Sequence, residues 1–218
     1  MKNLFQKAIL GTALVAGLVG CSGQNIKVSG LDNFKLEPAS SGTVSKIEDR
    51  HNQTMNFFSD TSRDCLKGVK VGIAYSDKVG GEYVDNFDTI FYNVNSGMST
   101  GKIIHEGVHR LDLSCKLIDR KRFSEIYDSL NSDEALKRTI EPVLKKSPYD
   151  NRSDLVAERI AFTGQFLADN SVYVPEKLAG LYSAVFSSEK YSEMMLRNNP
   201  GNQGEIEGMV GDSVDPDI

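Results

Sequence analysis

The sequence predicts an α+β domain, because two short strand patterns precede a run of helical patterns. Residues 69–75 and 88–93 are rich in β-branched and aromatic side chains, and Gly80 with Gly81 between them indicates a turn. Residues 99–115 then carry apolar side chains at the spacing of one helical face, at Ile104, Val108, Leu111 and Cys115. Strands followed by this helix and by further helices indicate a small sheet packed on helices.

The remaining helical patterns flank this centre. Helices are predicted over 45–67, 122–130, 133–146 with Pro142 inside, from Ser153 onward, and over 175–198. His51, in the first of them, is expected at the surface. Ser99 or Thr100 is expected to cap the helix over 99–115. No internal repeat is visible.

The chemistry of the chain is concentrated in the segment His105-Glu106-Gly107-Val108-His109, which has the pattern His-Glu-x-x-His. The chain has only three histidines, and two of them are in this segment. On a helix, residues four apart project from one face, so His105 and His109 can offer imidazole nitrogens to one metal ion. Glu106 beside them can reach a metal-bound water as a general base.

These residues resemble the zincin metallopeptidases. The resemblance implies a small zincin-like domain, with a short mixed β-sheet packed on the His-Glu-x-x-His helix and with further C-terminal helices. It also implies Zn²⁺ as cofactor and peptide-bond hydrolysis as reaction. In such domains the edge strand beside the cleft pairs with an extended peptide substrate.

Two histidines do not complete a catalytic zinc site, which normally has three protein ligands. Asp154, Ala157, Glu158 and Ala161 share one helical face, with small residues where a close approach of helices is needed. This pattern resembles the acidic helix of several gluzincins, in which the first acid binds zinc and the second supports a ligand histidine. Carried over, Asp154 is the ligand and Glu158 the supporting residue. However, the family's ligand is Glu, so the opposite assignment stays open: Glu158 as ligand, with Asp154 or Asp112 holding a histidine.

The gluzincin resemblance also implies a hydrogen-bond donor to the oxyanion of the tetrahedral intermediate. Tyr149, just upstream of the acidic helix, is the first candidate, and Tyr173 is the second.

The N-terminus resembles a bacterial lipoprotein signal. Lys2 and Lys7 precede a short apolar segment that ends in Leu18-Val19-Gly20-Cys21. The resemblance implies cleavage before Cys21, which then carries the lipid, and Ser22 after it favours the outer membrane, facing the periplasm. The expected organisation is therefore a signal peptide (1–20), a lipidated Cys21 with a flexible tether (21–45), the zincin-like domain (46–198) and a disordered acidic tail (199–218).

With Cys21 assigned to the lipid, two cysteines remain. An even pair in an exported, oxidising compartment predicts a disulfide between Cys65 and Cys115. In the alternative, Cys115 is a metal ligand, because it stands where metzincins place their third histidine. Against this, Asp112 replaces the glycine that metzincins use for the intervening turn.

Charge argues against nucleic acid as a partner. Without Lys2 and Lys7, the chain has 23 Lys and Arg against 30 Asp and Glu, and no basic stripe appears. The sequence therefore predicts a zinc metallopeptidase on a lipid anchor, acting on a peptide or protein of the cell envelope. The alternative is a non-catalytic lipoprotein of the same fold that binds a peptide, protein or cell-wall partner.

Overall fold

The computed structural model describes residues 41–74, 81–84, 88–93, 99–146 and 152–198. The signal segment, Cys21, Tyr149 and the acidic tail lie outside the described residues, so the predictions for them are unchanged. Helix α1 begins at Ser41, within the segment expected to be the tether.

The described residues form eight α-helices and a three-stranded sheet, which confirms the α+β class. The elements in chain order are α1 (Ser41–Thr54), α2 (Asp60–Leu66), β1 (Lys70–Ala74), β2 (Gly81–Val84), β3 (Thr89–Asn93), α3 (Thr100–Leu113), α4 (Arg120–Ser129), α5 (Ala135–Lys146), α6 (Arg152–Asp169), α7 (Glu176–Ala179) and α8 (Ser188–Arg197). Two 3-10 turns, Met55–Phe57 and Gly180–Tyr182, follow α1 and α7. No helix among the described residues has both the length and the apolar character to cross a membrane.

The sheet is mixed, with strand order β1-β3-β2. β1 runs parallel to β3, in register from Lys70↔Thr89 to Ala74↔Asn93, whereas β2 runs antiparallel to β3. The sequence predicted β1 and β3 but read Gly81 as part of a turn, which was wrong. β2 has only four residues and begins at this glycine. Its sequence is therefore too short to show the alternation of polar and apolar residues by which a strand is recognised.

Helix α3 carries the His-Glu-x-x-His segment through the centre of the domain. Its first turn is capped by Ser99, whose hydroxyl accepts a hydrogen bond from the Lys102 amide at 3.2 Å, as predicted. Ile103 packs into a cluster on the sheet side, while Ile104 and Val108 pack among the helices. Apolar contacts on two sides fix the rotation of α3, and this sets the direction of its polar side chains.

Helix α6 packs closely along α3. Ala157 and Ala161 of α6 are buried, in agreement with the small residues predicted for a close approach. Gly164 is equally constrained, because a Cβ there would lie 3.0 Å from the Val108 side chain. Small residues on α6 therefore let its polar groups reach those of α3.

Two predicted helices are interrupted at one place. The segments 45–67 and 175–198 were each expected to be a single helix, but each is broken, at Phe58 and at Phe186. These two residues form an antiparallel bridge, supported by hydrogen bonds from Ser59 N to Val185 O and from Ser187 N to Phe57 O, both 2.9 Å. Since the two backbones bond to each other, neither can continue its own helical ladder there.

A disulfide joins Cys65, near the end of α2, to Cys115, just after α3, across a Cα–Cα distance of 6.4 Å. This confirms the predicted pairing. It also removes Cys115 as a candidate ligand, because a sulfur in a disulfide is not a thiolate.

Candidate metal centre

The polar face of α3 is buried, which is unusual for charged or titratable side chains. His105, Glu106 and His109 each expose less than a tenth of their surface. Such groups are tolerated in a protein interior when they bind one another or a ligand. The partners of these three residues therefore define what the site can do.

The imidazoles of His105 and His109 converge on the carboxylate of Glu158 from α6. The two Nε2 atoms lie 3.1 Å apart. Oε2 of Glu158 lies 3.4 Å from Nε2 of His105, and Oε1 lies 3.3 Å from Nε2 of His109. Among the described residues this is the group of side chains that could hold a metal ion, with its ligand atoms within 4.8 Å of one another.

The donor set and its spacing suit zinc. Imidazole nitrogens and a carboxylate oxygen are ordinary zinc ligands at about 2.0–2.2 Å, so neighbouring ligand atoms of a tetrahedral site lie about 3.3–3.5 Å apart. The two imidazole nitrogens lie 3.1 Å apart, and each has a different oxygen of the Glu158 carboxylate at 3.3–3.4 Å, which is close enough for one ion to contact all three residues. Three protein ligands leave a fourth position, as in catalytic sites.

Of the two acids that the sequence left open, the structure brings Glu158 to the histidines. Asp154 lies one turn earlier on α6, and its side chain lies outside the described residues. The contacts favour Glu158 as the third ligand.

The charges of the cluster are strongly coupled. Burial by itself lowers the pKa of His109, but the charge of Glu158 and its hydrogen bond outweigh burial and raise this pKa to about 9. Burial by itself raises the pKa of Glu158, but the charge of His109 and the hydrogen bonds from both histidines hold it well below its usual range. Without a metal, His109 is therefore protonated at neutral pH, and its positive charge balances the negative charge of Glu158.

Glu106 points from α3 to β2, which is an edge strand of the sheet that the described residues form. Its carboxylate accepts a hydrogen bond from the backbone N–H of Tyr83, and burial raises its pKa despite the nearby imidazoles of His105 and His109. A carboxylate next to this cluster, with a raised pKa, suits a group that takes up a proton and passes it on.

Phe162 stands one turn beyond Glu158 and packs its ring edge-on against His105, with ring centroids 4.6 Å apart. Nδ1 of His105 is buried without a hydrogen-bond partner among the described residues. In the gluzincin pattern, the acid that supports a histidine lies four residues after the acid that binds the metal. If Glu158 is the ligand, the residue at that position in this chain is Phe162, which is aromatic.

Asp112, expected to support a histidine, lies on α3 and is almost completely buried. Its charge acts on His109, but neither of its oxygens has a hydrogen-bond partner among the described residues. Nε of Arg120 lies 3.5 Å from its Oδ2. Burial raises the pKa of Asp112 to about 6, and Arg120 and His109 oppose this only in part. The influence of Asp112 on His109 is therefore electrostatic.

His51 is not a surface residue, contrary to the prediction. Its side chain is half-buried, and Nδ1 lies 2.7 Å from the hydroxyl of Tyr92, which is fully buried on β3. Burial lowers the pKa of His51 to about 4. Local sequence patterns do not predict this contact, because the partners lie 41 residues apart.

Tyr173, the second candidate oxyanion donor, lies near other acids: the carboxylates that act on it are Glu176 and Glu134. Three residues around the cluster were missed by the sequence analysis, namely Phe162, Tyr83 and Gly81. Of these, only Phe162 could have been found from the sequence, because it lies one helical turn after Glu158. The other two belong to the strand that was not predicted.

Comparison with protein-family models, with curated proteins and with solved structures finds no match to this chain.

Proposed function

We propose that this protein is a zinc-dependent metallopeptidase. The observation that carries the proposal is the convergence of His105, His109 and Glu158 at separations that suit one zinc ion, with Glu106 buried beside them. A zinc ion held there would act as a Lewis acid, polarising a carbonyl and lowering the pKa of a coordinated water towards neutrality.

The protein's own groups divide the remaining work. His105, His109 and Glu158 hold the cofactor, and neutral imidazoles with an ionised carboxylate are the forms that can do so. Glu106 acts as general base and then as general acid, taking a proton and delivering it to the leaving amine. Its contact with the N–H of Tyr83 fixes the direction from which it acts. Tyr149 stays the proposed oxyanion donor.

The proposed substrate is an extended peptide in the cell envelope. Within the described part of the sheet, β2 is the antiparallel edge strand, and its residues Gly81 and Tyr83 both lie against Glu106. An extended chain added to this edge would run beside the general base. The lipoprotein-like segment ending at Cys21 supports a lipid anchor in the outer membrane, with the domain facing the periplasm.

Hydrolysis of a peptide library by the purified protein, followed by mass spectrometry, tests the proposal. We expect cleavage that is abolished by a chelator and restored by zinc. Glu106→Gln should keep the zinc and lose at least about 100-fold in kcat, because the amide cannot take up the proton. Zinc binding with no cleavage of any peptide would instead support the non-catalytic envelope lipoprotein.

A further inference from the structure

The edge strand β2 leaves a space at Gly81, and the carboxylate of Glu106 fills it. A Cβ added at Gly81 would lie 3.2 Å from Oε1 and 3.3 Å from Cγ of Glu106, and 3.2 Å from the carbonyl oxygen of Phe91. The φ of Gly81 is outside the left-handed region, so backbone strain does not require a glycine here. Two reasons remain, space for the Glu106 side chain and space for the Phe91 carbonyl, and substitution of Glu106 separates them.

The sides of this space are formed by the sheet. Gly81 pairs with Tyr92 of β3 in the antiparallel register, and directly opposite residues project to the same face. Glu106 therefore lies beside Tyr92, whose hydroxyl is held by His51 at 2.7 Å. From the strand itself, the backbone N–H of Tyr83 binds the carboxylate.

We infer that Gly81 is a positioning residue for Glu106, and that Gly81, the Tyr83 N–H and the Tyr92–His51 pair together form a recess that holds this carboxylate in one place. The role of Glu106 as general base rests on the proposed function, but the recess can be tested without it. A Cβ at position 81 would require the Glu106 carboxylate to shift by a few tenths of an ångström from its place beside the Tyr83 N–H. A displacement of about 1 Å at a catalytic group can lower a rate about 100-fold, so a smaller shift should lower it several-fold while substrate binding is kept.

A double-mutant cycle in thermal unfolding tests the recess without reference to activity. Gly81→Ala should lower the unfolding midpoint by about 3–6 °C, the effect of a tight contact in a domain of this size. In a Glu106→Ala background the same change should lower it by less than half as much, because only the contact with Phe91 remains. Gly180→Ala is the control: no atom lies within 4 Å of the added Cβ and the backbone there is helical, so the midpoint should not decrease.

Equal decreases in the two backgrounds, or no decrease in the parent, would overturn the inference. If Gly81→Ala does not fold, folding of the Gly81→Ala/Glu106→Ala protein supports the recess, and failure of that protein to fold overturns it.

Kinetics give a readout that a purely structural role would not produce. Gly81→Ala should keep its zinc and its KM within about two-fold, and lose about three- to ten-fold in kcat. An unchanged kcat would contradict the positioning role. If the parent cleaves no peptide, the proposed function fails while the unfolding cycle still decides whether the recess exists.

Discussion

Nε2 of His109 lies 3.3 Å from Oε1 of Glu158, and this contact joins the two central helices α3 and α6. Three small residues of α6 permit the approach, namely Ala157, Ala161 and Gly164. Because both side chains are buried, their charges act on each other with little screening by water. Several measurable properties depend on this pair.

Zinc binding should release protons. The pKa of His109 in the metal-free protein is raised to about 9, so its imidazole is protonated at pH 7.5 and must lose that proton to bind a metal. Titration calorimetry at pH 7.5 in buffers of different ionisation enthalpy should show about one proton released by His109 per zinc. Binding enthalpies that do not depend on the buffer would contradict this.

The metal-free protein should lose stability between pH 6.5 and about 9. The folded pKa of His109 is above its value of 6.5 in the unfolded chain, so its stabilising effect is complete below pH 6.5 and is lost as the pH rises through about 9. Urea unfolding at the two pH values measures this loss. Glu158→Gln should make the free energy of unfolding depend less on pH, since it removes the charge that raises the pKa of His109. If the pH dependence of that variant is unchanged, other groups cause the effect.

The pair His51–Tyr92 should contribute stability with the opposite pH dependence. The folded pKa of His51 is lowered to about 4 by burial, so its contribution is present above pH 6.5 and is lost as the pH falls through 4. Tyr92→Phe should lower the free energy of unfolding by about 1–2 kcal/mol at pH 7, because His51 loses its partner. His51→Asn should reduce the loss of stability at acid pH. If this variant loses stability with pH as the parent does, His51 is not the source of that loss.

The disulfide should stabilise the domain strongly. It closes a loop of 50 residues, for which chain entropy gives about 4 kcal/mol as an upper value. It also lies beside α3, since Nε of Arg110 donates to the carbonyl of Cys65 at 3.3 Å. Urea unfolding with and without a dithiol reductant measures the difference. The control Cys65→Ala/Cys115→Ala should have the same free energy of unfolding as the reduced parent, and the reductant should not change it.

The sequence alone led to α3 and its candidate ligands because local spacing determines which residues share a helical face. His105, Glu106 and His109 follow from that spacing, and Ser99 follows from cap chemistry. The choice between Asp154 and Glu158 could not be made in the same way. Both lie on one face, one turn apart, and it is the packing of α6 on α3 that brings Glu158 to the histidines.

Contacts between distant segments account for what the sequence analysis missed. β2 is defined by its pairing with β3 rather than by its own four residues. His51 was expected at the surface, but it contacts Tyr92, which lies 41 residues away in the chain. The breaks at Phe58 and Phe186 arise from a bridge between segments far apart in the chain.

The metal content of the purified protein tests the central claim most directly. After incubation with zinc and removal of the excess, we expect about one zinc per chain in the parent and in Asp154→Ala, and none in Glu158→Ala or His105→Ala. Circular dichroism confirms that each variant is folded. A parent without zinc, or a site lost with Asp154 and kept without Glu158, would contradict the account.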